Sequence, residues 1–324
     1  MTKVFIAGQL PAQANTLLLQ SQLTIDTYTG DDLISHAELI RRVADADYLI
    51  TPLSTQVDQD VFDHAPHLKL IANFGAGTNN IDLAAAAQRH IPVTNTPNVS
   101  AVATAESTVG LIISLAHRIV EGDHLMRTSG FNGWAPLFFL GHNLQGKTLG
   151  ILGLGQIGQA VAKRLHAFDM PILYSQHHRL PISRETQLGA TFVSQDDLLQ
   201  RADIVSLHLP LTAQTTHLID SVAFSKMKST ALLINAARGP IVDEQALVAA
   251  LQQHQIAGAA LDVYEHEPQV TPGLATMNNV ILTPHLGNAT VEARDGMATI
   301  VAENVIAMAQ HRPVKYVVND VTSL

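Results

Sequence analysis

Short apolar runs alternate with segments of helical periodicity along almost the whole chain. The runs are rich in Val, Ile and Leu, and several are apolar at consecutive rather than alternate positions. Consecutive apolar positions are typical of parallel strands covered on both faces, and strand–helix alternation is typical of a doubly wound α/β fold. We therefore predict strands within residues 3–8, 48–52, 68–75, 91–97, 148–153, 171–175, 190–193, 203–210, 231–239, 258–264 and 280–285.

Two long helical segments and one irregular segment interrupt this alternation. Residues 100–120 contain no proline and are predicted to form one helix, and residues 289–310 are predicted to form another. Between residues 127 and 145 the periodicity is lost, in a stretch that contains the single tryptophan, Trp134. Loops of this length inside compact domains are usually functional, so this segment is a candidate for a role beyond connection.

Composition narrows the class of protein. The 324 residues, 47% hydrophobic, are enough for two domains with large cores. The formal net charge of -9, without a basic stripe, argues against nucleic acid as a partner. The absence of cysteine excludes disulfides and zinc–thiolate sites and suits the cytoplasm. No apolar run approaches the ~18 residues of a membrane span, and the 16 histidines are scattered, so neither a membrane nor a metal is expected.

One motif carries clear chemistry. Residues 153–158, GLGQIG, follow a predicted strand and open a predicted helix. In a dinucleotide-binding turn the first glycine makes the tight turn, the second lets a pyrophosphate approach the backbone, and the third lets helix and strand pack closely. The positive end of the helix then holds the phosphates. A dinucleotide site is the prediction, and a purely structural turn is the alternative.

The next strand ends without the acid that would bind an adenosine ribose. Residues 175–179 are Ser175, Gln176, His177, His178 and Arg179. A carboxylate there would repel a 2′-phosphate, whereas an arginine can pair with one. The sequence therefore favours NADP over NAD. The alternative is that these residues form a surface loop and that NAD binds through ribose contacts elsewhere.

Three further stretches, INAARGPIVDEQAL (234–247), ALDVYEHEP (260–268) and TPHLGNAT (283–290), complete a pattern. Together with the glycine motif, this pattern resembles the D-isomer-specific 2-hydroxyacid dehydrogenase family. The resemblance implies two doubly wound α/β domains with a cleft between them, a Rossmann NAD(P)-binding domain and a flavodoxin-like substrate domain. It predicts residues 1–99 and 287–324 for the substrate domain and residues 100–286 for the dinucleotide-binding domain. It also implies a homodimer.

Residue roles follow from the same resemblance. His285 matches the family's catalytic histidine, Glu267 its carboxylate partner and Arg238 the substrate-binding arginine. The substrate-domain loop Phe74, Gly75, Ala76, Gly77 and Thr78 matches the segment whose backbone amides hold the substrate carboxylate, and Asp262 matches an acid near the nicotinamide carboxamide. The residues predicted to contact the NAD(P)H cofactor are Thr104, Gly153, Leu154, Gly155, Gln156, Ile157, Gly158, Ser175, Gln176, His177, His178, Arg179, His208, Pro210, Thr215, Ala236, Ala237, Arg238, Asp262, His285 and Gly287.

The resemblance favours reduction of a small 2-oxo acid, of the glyoxylate or hydroxypyruvate type, to the D-2-hydroxy acid. Reductases of bulkier 2-oxo acids and dinucleotide-sensing binding proteins on the same fold remain alternatives. Some residues also have structural alternatives: Asp262 could only hold a neighbouring helix, and Trp134 could line the cleft or merely pack against it. Tyr264 and His266 alternate with the two glutamates of their motif, and no role is predicted for them.

Overall fold

The computed structural model describes residues 2–321, which divide into two compact units. The first unit contains the residues up to Ser100 together with those from Ala289 onward, and the second contains Ala101–Asn288. Both units are built from parallel strands joined by helices, which confirms the predicted fold class. We propose substrate binding for the first unit and dinucleotide binding for the second.

A five-stranded parallel sheet forms the centre of the first unit. The strand order is β2-β1-β3-β4-β5, the order of flavodoxin-like folds. The strands are β1 Lys3–Ile6, β2 Thr24–Thr27, β3 Tyr48–Pro52, β4 Leu70–Phe74 and β5 Val93–Thr94. The helices are α1 Ala12–Gln20, α2 His36–Val43, α3 Gln59–Asp63 and α4 Leu83–Gln88, with the last helix of the chain, α12 Val291–Ala309, packed against α1 and β4.

A seven-stranded parallel sheet forms the centre of the second unit. Its strands are β6 Leu149–Leu152, β7 Ile172–Ser175, β8 Ala190–Phe192, β9 Ile204–Leu207, β10 Leu232–Asn235, β11 Gly258–Leu261 and β12 Val280–Leu282. The order β12-β11-β10-β9-β6-β7-β8 reverses direction between β6 and β9. That reversal is the topological switch point of a Rossmann sheet, and ligands of such sheets bind outside the carboxyl ends of the strands.

Helices cover both faces of the second sheet. They are α5 Ala101–Ala116, α6 Ile119–Thr128, α7 Gln156–His166, α8 Ile182–Leu188, α9 Gln195–Arg201, α10 Ser221–Lys226 and α11 Glu244–Gln252, with short 3-10 turns at Gly239–Ile241 and Leu274–Thr276. Successive strand residues enter different cores, because side chains alternate between the faces of a strand. Ile151 packs with α5 and α7, whereas Leu152 packs with α10 and α11.

The prediction of one helix over residues 100–120 is wrong. Helix α5 ends at Ala116, Arg118 adopts a left-handed conformation with φ +56°, and α6 begins at Ile119. A left-handed residue cannot continue a right-handed helix, so the chain changes direction there. Helix α6 then extends to Thr128, two residues into the segment predicted to be irregular from 127. The long helix predicted over residues 289–310 is confirmed as α12.

The edge strand β2 is a second difference, because no strand was predicted there. Of its four residues, TIDT, only Ile25 is apolar, and none of them is fully buried. The described residues, 2–321, were also predicted to lack a membrane span and a metal site. None of their helices has the length and apolar character needed to cross a bilayer, and they contain no cluster of three or more His, Asp or Glu side chains arranged to hold a metal ion.

Candidate active site

The glycine turn between β6 and α7 has one open face. Gly153 has φ +92°, and a Cβ there would lie 2.6 Å from the carbonyl oxygen of His208, while a Cβ on Gly158 would lie 2.3 Å from the carbonyl oxygen of Gly153. Both glycines are therefore required by the protein's own backbone. A Cβ on Gly155 would meet no atom of residues 2–321 within 4 Å. The space beside Gly155 fits a phosphate group approaching the first amides of α7.

The end of β7 is tied to this turn by an amide side chain. Gln176 accepts a hydrogen bond from the backbone N–H of Leu154 at 2.8 Å, and its own Nε2 donates to the carbonyl oxygen of His178 at 2.6 Å. Gln176 thus occupies the position at which a ribose-binding acid is expected. Because the group is neutral, it places no negative charge against a 2′-phosphate.

Arg179, predicted to pair with such a phosphate, already pairs with an acid. Its Nε and Nη2 donate to the two carboxylate oxygens of Glu185, each at 2.8 Å, and the Tyr174 hydroxyl donates to the same carboxylate at 2.6 Å. The Arg179 guanidinium, followed by the Tyr174 hydroxyl, lowers the pKa of Glu185 to about 2. The pair leaves only Nη1 of Arg179 without a protein partner among the described residues, so the guanidinium is less available to a phosphate than the sequence suggested.

The other residues predicted to contact the cofactor lie at the carboxyl ends of central strands or on α5. His208 follows β9, and its Nε2 lies 2.8 Å from the Ser206 hydroxyl. Burial lowers the pKa of His208 to about 4, so the ring is neutral at pH 7.

The hydroxyl of Thr215 makes a local hydrogen bond, because it donates to the carbonyl oxygen of Pro210 at 2.7 Å. The exposed rings of His177 and His178 contact each other, Thr104 is buried on α5, and Ala236 and Ala237 are buried just after β10.

Three neighbouring strands bring the predicted catalytic residues to one edge of the sheet. Arg238 follows β10, Glu267 follows β11 and His285 follows β12. Oε2 of Glu267 lies 3.0 Å from Nδ1 of His285, and Oε1 of Glu267 accepts a hydrogen bond from the backbone N–H of Tyr264 at 3.1 Å. The carboxylate is therefore held at both oxygens, while Nε2 of His285 has no hydrogen-bond partner within residues 2–321.

The charge of Glu267 decides which nitrogen of His285 carries a proton. Burial pushes the pKa of Glu267 upward, but the hydrogen bond and charge of His285, the N–H of Tyr264 and the charge of Arg238 together outweigh it, and the net pKa is lowered. The carboxylate is thus ionised at neutral pH and accepts from Nδ1–H. With Nδ1 fixed as a donor, Nε2 is the nitrogen that can gain and lose a proton.

Arg238 supplies a cation at the same edge. Its Nη1 donates to the carbonyl oxygen of Ala237 at 2.6 Å. Burial lowers the pKa of Arg238 and the charge of Glu267 opposes that shift, but a guanidinium remains charged at any ordinary pH. The next residue, Gly239, lies so close to the segment after β11 that a Cβ there would be 1.8 Å from the carbonyl oxygen of Tyr264. The Arg238 segment is thereby packed directly against the residues that lead to Glu267.

Asp262 is almost fully buried, at 1% exposed, and holds the turn that carries His285. Its Oδ1 accepts from the Thr283 hydroxyl at 2.6 Å and from the Leu286 N–H at 2.8 Å, and its Oδ2 accepts from the Gly287 N–H at 2.7 Å. The alternative in which Asp262 supports a neighbouring element is thus consistent with these contacts, although the supported element is a turn and not a helix. Its predicted contact with the nicotinamide carboxamide stays a prediction.

In the first unit, the loop 74–78 follows β4 and is fixed through its carbonyl groups. The carbonyl oxygens of residues 75–77 accept hydrogen bonds, in order, from Thr96 N at 3.0 Å, from Asn95 Nδ2 at 2.7 Å and from Asn73 Nδ2 at 2.6 Å. Because these carbonyl groups face the unit, the intervening amide groups are directed away from it.

Those amide groups form a candidate anion site. The backbone N–H groups of Ala76 and Gly77 donate to no acceptor in the part of the chain that the structure describes. Arg294, near the start of α12, lies with its guanidinium 5.9 Å from the centre of the Phe74 ring. Burial lowers the pKa of Arg294, and the described residues offer it no acidic partner. The loop and the arginine together favour a negative charge beside Phe74.

No sequence motif marks Asn73, Asn95 or Arg294, which contact the loop or lie beside Phe74. The two asparagines become informative only once the loop is built, because their role is to bind carbonyl groups of another segment. Arg294 nevertheless has a recognisable signal in the sequence. A basic residue near a helix N-terminus interacts unfavourably with the helix dipole, so its presence there indicates another role.

Comparison with known proteins decides the family. Residues 109–287 match the NAD binding domain of the family described as D-isomer specific 2-hydroxyacid dehydrogenase. The chain is also 54% identical, over 98% of its length and 100% of the other chain, to a Staphylococcus epidermidis protein provisionally named a 2-hydroxyacid dehydrogenase. The chain belongs to the D-isomer specific 2-hydroxyacid dehydrogenase family. It is a nicotinamide-dependent oxidoreductase, as predicted from its motifs.

Two solved structures are similar over nearly the whole chain. A glyoxylate reductase named as from Paecilomyes thermophila is 32% identical with a TM-score of 0.86, covering 98% of this chain and 97% of that one. An NADPH-dependent glyoxylate/hydroxypyruvate reductase from Sinorhizobium meliloti, solved with NADP and malonate, is 30% identical with a TM-score of 0.83, covering 98% and 96%. Both support the two-domain α/β fold assigned above.

Proposed function

We propose that this dehydrogenase reduces a small 2-oxo acid of the glyoxylate or hydroxypyruvate type to the D-2-hydroxy acid, with His285 as the proton donor. The observation that carries the proposal is the Glu267–His285 pair, 3.0 Å apart at the edge of β10, β11 and β12 that also carries Arg238. An oriented imidazole beside a cation is what protonation of a carbonyl oxygen requires. The names of the two similar reductases support the substrate type.

The substrate carboxylate has a natural place in the first unit. The free amides of Ala76 and Gly77 are donors fixed by the loop's own carbonyl contacts, and Arg294 adds positive charge on the Phe74 side. In the second unit, Arg238 is a planar donor of the kind that polarises a carbonyl group and pairs with carboxylate oxygens. Polarisation draws electron density to the carbonyl oxygen and lowers the barrier to attack at carbon.

The residues of the site then transfer one proton to the substrate. When bound, the reduced nicotinamide supplies the hydride that adds to the carbonyl carbon. The former π electrons of the carbonyl group move to oxygen, and Nε2–H of His285 delivers the proton that completes the hydroxyl group. Glu267 stabilises the imidazolium before the transfer and keeps the ring oriented afterwards. In the oxidative direction His285 accepts the same proton from the hydroxy acid.

NADPH is proposed as the favoured cofactor. Residues 175–179 contain no acid, Gln176 places a neutral amide beside the glycine turn, and the Sinorhizobium reductase was solved with NADP. The Arg179–Glu185 pair weakens one part of this argument, because two of the guanidinium's donors are already used. We therefore expect use of both dinucleotides with NADPH preferred, rather than exclusion of NADH.

A steady-state assay tests the proposal. NADPH and NADH are compared against glyoxylate, hydroxypyruvate, pyruvate and phenylpyruvate, following dinucleotide absorbance. The proposal predicts the highest kcat/KM with NADPH and one of the first two acids. A preference for phenylpyruvate would support the bulkier-substrate alternative. Tight dinucleotide binding without turnover of any acid would support the sensing alternative.

A homodimer is proposed from the surface of residues 119–140, here called the arm. Helix α6, which begins the arm, has no buried residue. The arm also exposes a row of apolar side chains, and Trp134 is 83% exposed, so it does not pack against its own unit. The exposed apolar residues of the arm are Ile119, Val120, Met126, Phe131, Trp134, Leu137, Phe138 and Leu140. A concentration of exposed apolar side chains in one segment favours a contact site, and a second copy of the chain is its proposed occupant. The predicted cytoplasmic location stays a prediction.

A further inference from the structure

Tyr264 precedes Glu267 by three residues and is buried, at 7% exposed. Its hydroxyl donates to the carbonyl oxygen of Thr283 at 2.8 Å, with a longer approach to that of Leu261 at 3.3 Å. Thr283 precedes His285 by two residues, and its carbonyl oxygen also accepts the backbone N–H of His285 at 3.0 Å. The Tyr264 hydroxyl therefore binds the same carbonyl oxygen that accepts the backbone N–H of His285.

That turn needs support, because His285 is in the left-handed region with φ +53°. A non-glycine residue in this region persists only where surrounding contacts hold it. The turn, residues 283–287, is held from two sides. Tyr264 binds the carbonyl oxygen of Thr283, two residues before the strained position, and Asp262 binds the two amides after it.

Tyr264 also reaches the other candidate catalytic segments through its backbone. Its N–H donates to Oε1 of Glu267 at 3.1 Å, and its carbonyl oxygen is the atom against which Gly239, next to Arg238, is packed. One residue thus contacts the segments of all three candidate catalytic residues, and its side chain contacts the turn of His285.

We propose that Tyr264 is a positioning residue whose hydroxyl sets the turn of His285 so that Nδ1 meets Glu267 and Nε2 faces the substrate. This inference rests on the proposed function. The hydroxyl is buried and bonded to backbone, so it takes no part in proton transfer. Burial, followed by the charge of Asp262, raises the pKa of Tyr264 to about 12. The phenol therefore remains a hydrogen-bond donor throughout the pH range of an enzyme assay.

The test is Tyr264→Phe, which removes one oxygen and leaves the ring. The matched control is Tyr48→Phe, because Tyr48 is also buried, at 3% exposed, but starts β3 in the first unit. Loss of one buried hydrogen bond beside a reacting group is expected to lower kcat roughly ten-fold. The dissociation constant for NADPH should be unchanged, and the pH at which kcat is half-maximal should shift, because the Glu267–His285 contact is looser. Hydrogen exchange of the backbone amides in residues 283–287, which are those of Thr283, His285, Leu286 and Gly287, should accelerate roughly ten-fold.

The outcomes separate this inference from the proposed function. A fall in kcat with an altered pH profile and faster exchange confined to residues 283–287, all absent in Tyr48→Phe, supports the positioning role. An unchanged kcat and pH profile in a wild type that turns over and depends on His285 overturns it while leaving the proposed function intact. If the wild type turns over no 2-oxo acid, the proposed function fails. In that case unchanged exchange in residues 283–287 of Tyr264→Phe overturns this inference, and faster exchange there supports the structural part of it.

Discussion

Glu267 Oε2 lies 3.0 Å from Nδ1 of His285, although the two residues are 18 positions apart in the chain. The contact arises because β11 and β12 are neighbours in a parallel sheet, so the loops that follow them emerge at the same edge. The arrangement fixes one ring nitrogen by a carboxylate and leaves the other for chemistry. Contacts elsewhere in the chain predict separate effects of substitutions on NADPH affinity, on KM for the 2-oxo acid, on thermal stability and on dimer formation.

The glycine turn should separate binding from folding. Gly155→Ala adds a methyl group where residues 2–321 leave open space. We expect the free energy of unfolding to change little, while the dissociation constant for NADPH rises at least roughly ten-fold because a phosphate can no longer approach the backbone. Gly158→Ala, whose Cβ would lie 2.3 Å from a carbonyl oxygen, should instead lower Tm. Calorimetry with and without NADPH measures both. Unchanged dinucleotide affinity in Gly155→Ala would contradict the binding site.

Arg294 should affect the acid substrate and not the dinucleotide. Arg294→Gln removes a cation that lies over the Phe74 ring and that the described residues leave without an acidic partner. We expect KM for the 2-oxo acid to rise roughly ten-fold, since a charged hydrogen bond or a near charge is lost, while KM for NADPH stays constant. Arg312→Gln, at an exposed position just after α12, is the control. Equal KM values for the acid in both variants would remove Arg294 from the substrate site.

Glu185 should make the stability of the second unit depend on pH. The Arg179 guanidinium, followed by the Tyr174 hydroxyl, lowers its pKa from the ordinary 4.5 to about 2 in the folded protein. A depressed folded-state pKa stabilises the folded state fully above the unfolded value and loses that contribution as pH falls toward the folded value. Tm of the wild type should therefore exceed that of Glu185→Gln at pH 6, and the two should converge as pH is lowered toward 3. Thermal denaturation across this range, with Glu303→Gln as an exposed control, checks it; a constant difference would contradict the pairing.

The arm should control assembly. Leu137 is 84% exposed in the single chain, and a charge there is costly if a second copy covers it. We expect Leu137→Glu to shift the protein from dimer toward monomer in light scattering after size-exclusion chromatography. Leu19→Glu, a 68% exposed position in α1 of the first unit, should leave the mass unchanged. A monomeric wild type would overturn the proposed dimer.

Much of this molecule is predictable from sequence because its signals are local. Consecutive apolar positions located every strand of the second sheet, and the GLGQIG motif located the turn before α7. The edge strand β2 was missed because its side chains are only partly buried, so the sequence lacks an apolar run. The break at Arg118 was missed because the left-handed conformation there is imposed on a residue other than glycine.

Sequence motifs name the candidate catalytic residues but not the groups that hold those residues in place. Arg238, Glu267 and His285 stand in motifs, whereas the groups that hold them act across the sheet or through backbone atoms. Tyr264 is an example: its hydroxyl meets a carbonyl oxygen 19 positions away, a contact that no spacing rule reveals. Likewise, the pairing of Arg179 with Glu185 depends on how the segment after β7 folds back onto α8.

In the proposed reaction His285 delivers the proton, and replacing this residue tests that role. His285→Asn is the sharpest variant, because asparagine tolerates a left-handed backbone and keeps a donor for Glu267. The kcat of this variant with NADPH and glyoxylate or hydroxypyruvate is compared with the wild type across pH, with His67→Asn as an exposed control and with Tm and NADPH affinity measured alongside. If His285 is the proton donor, kcat should fall by at least ~10²-fold while folding and NADPH binding are retained. Turnover within a few-fold of the wild type would contradict it.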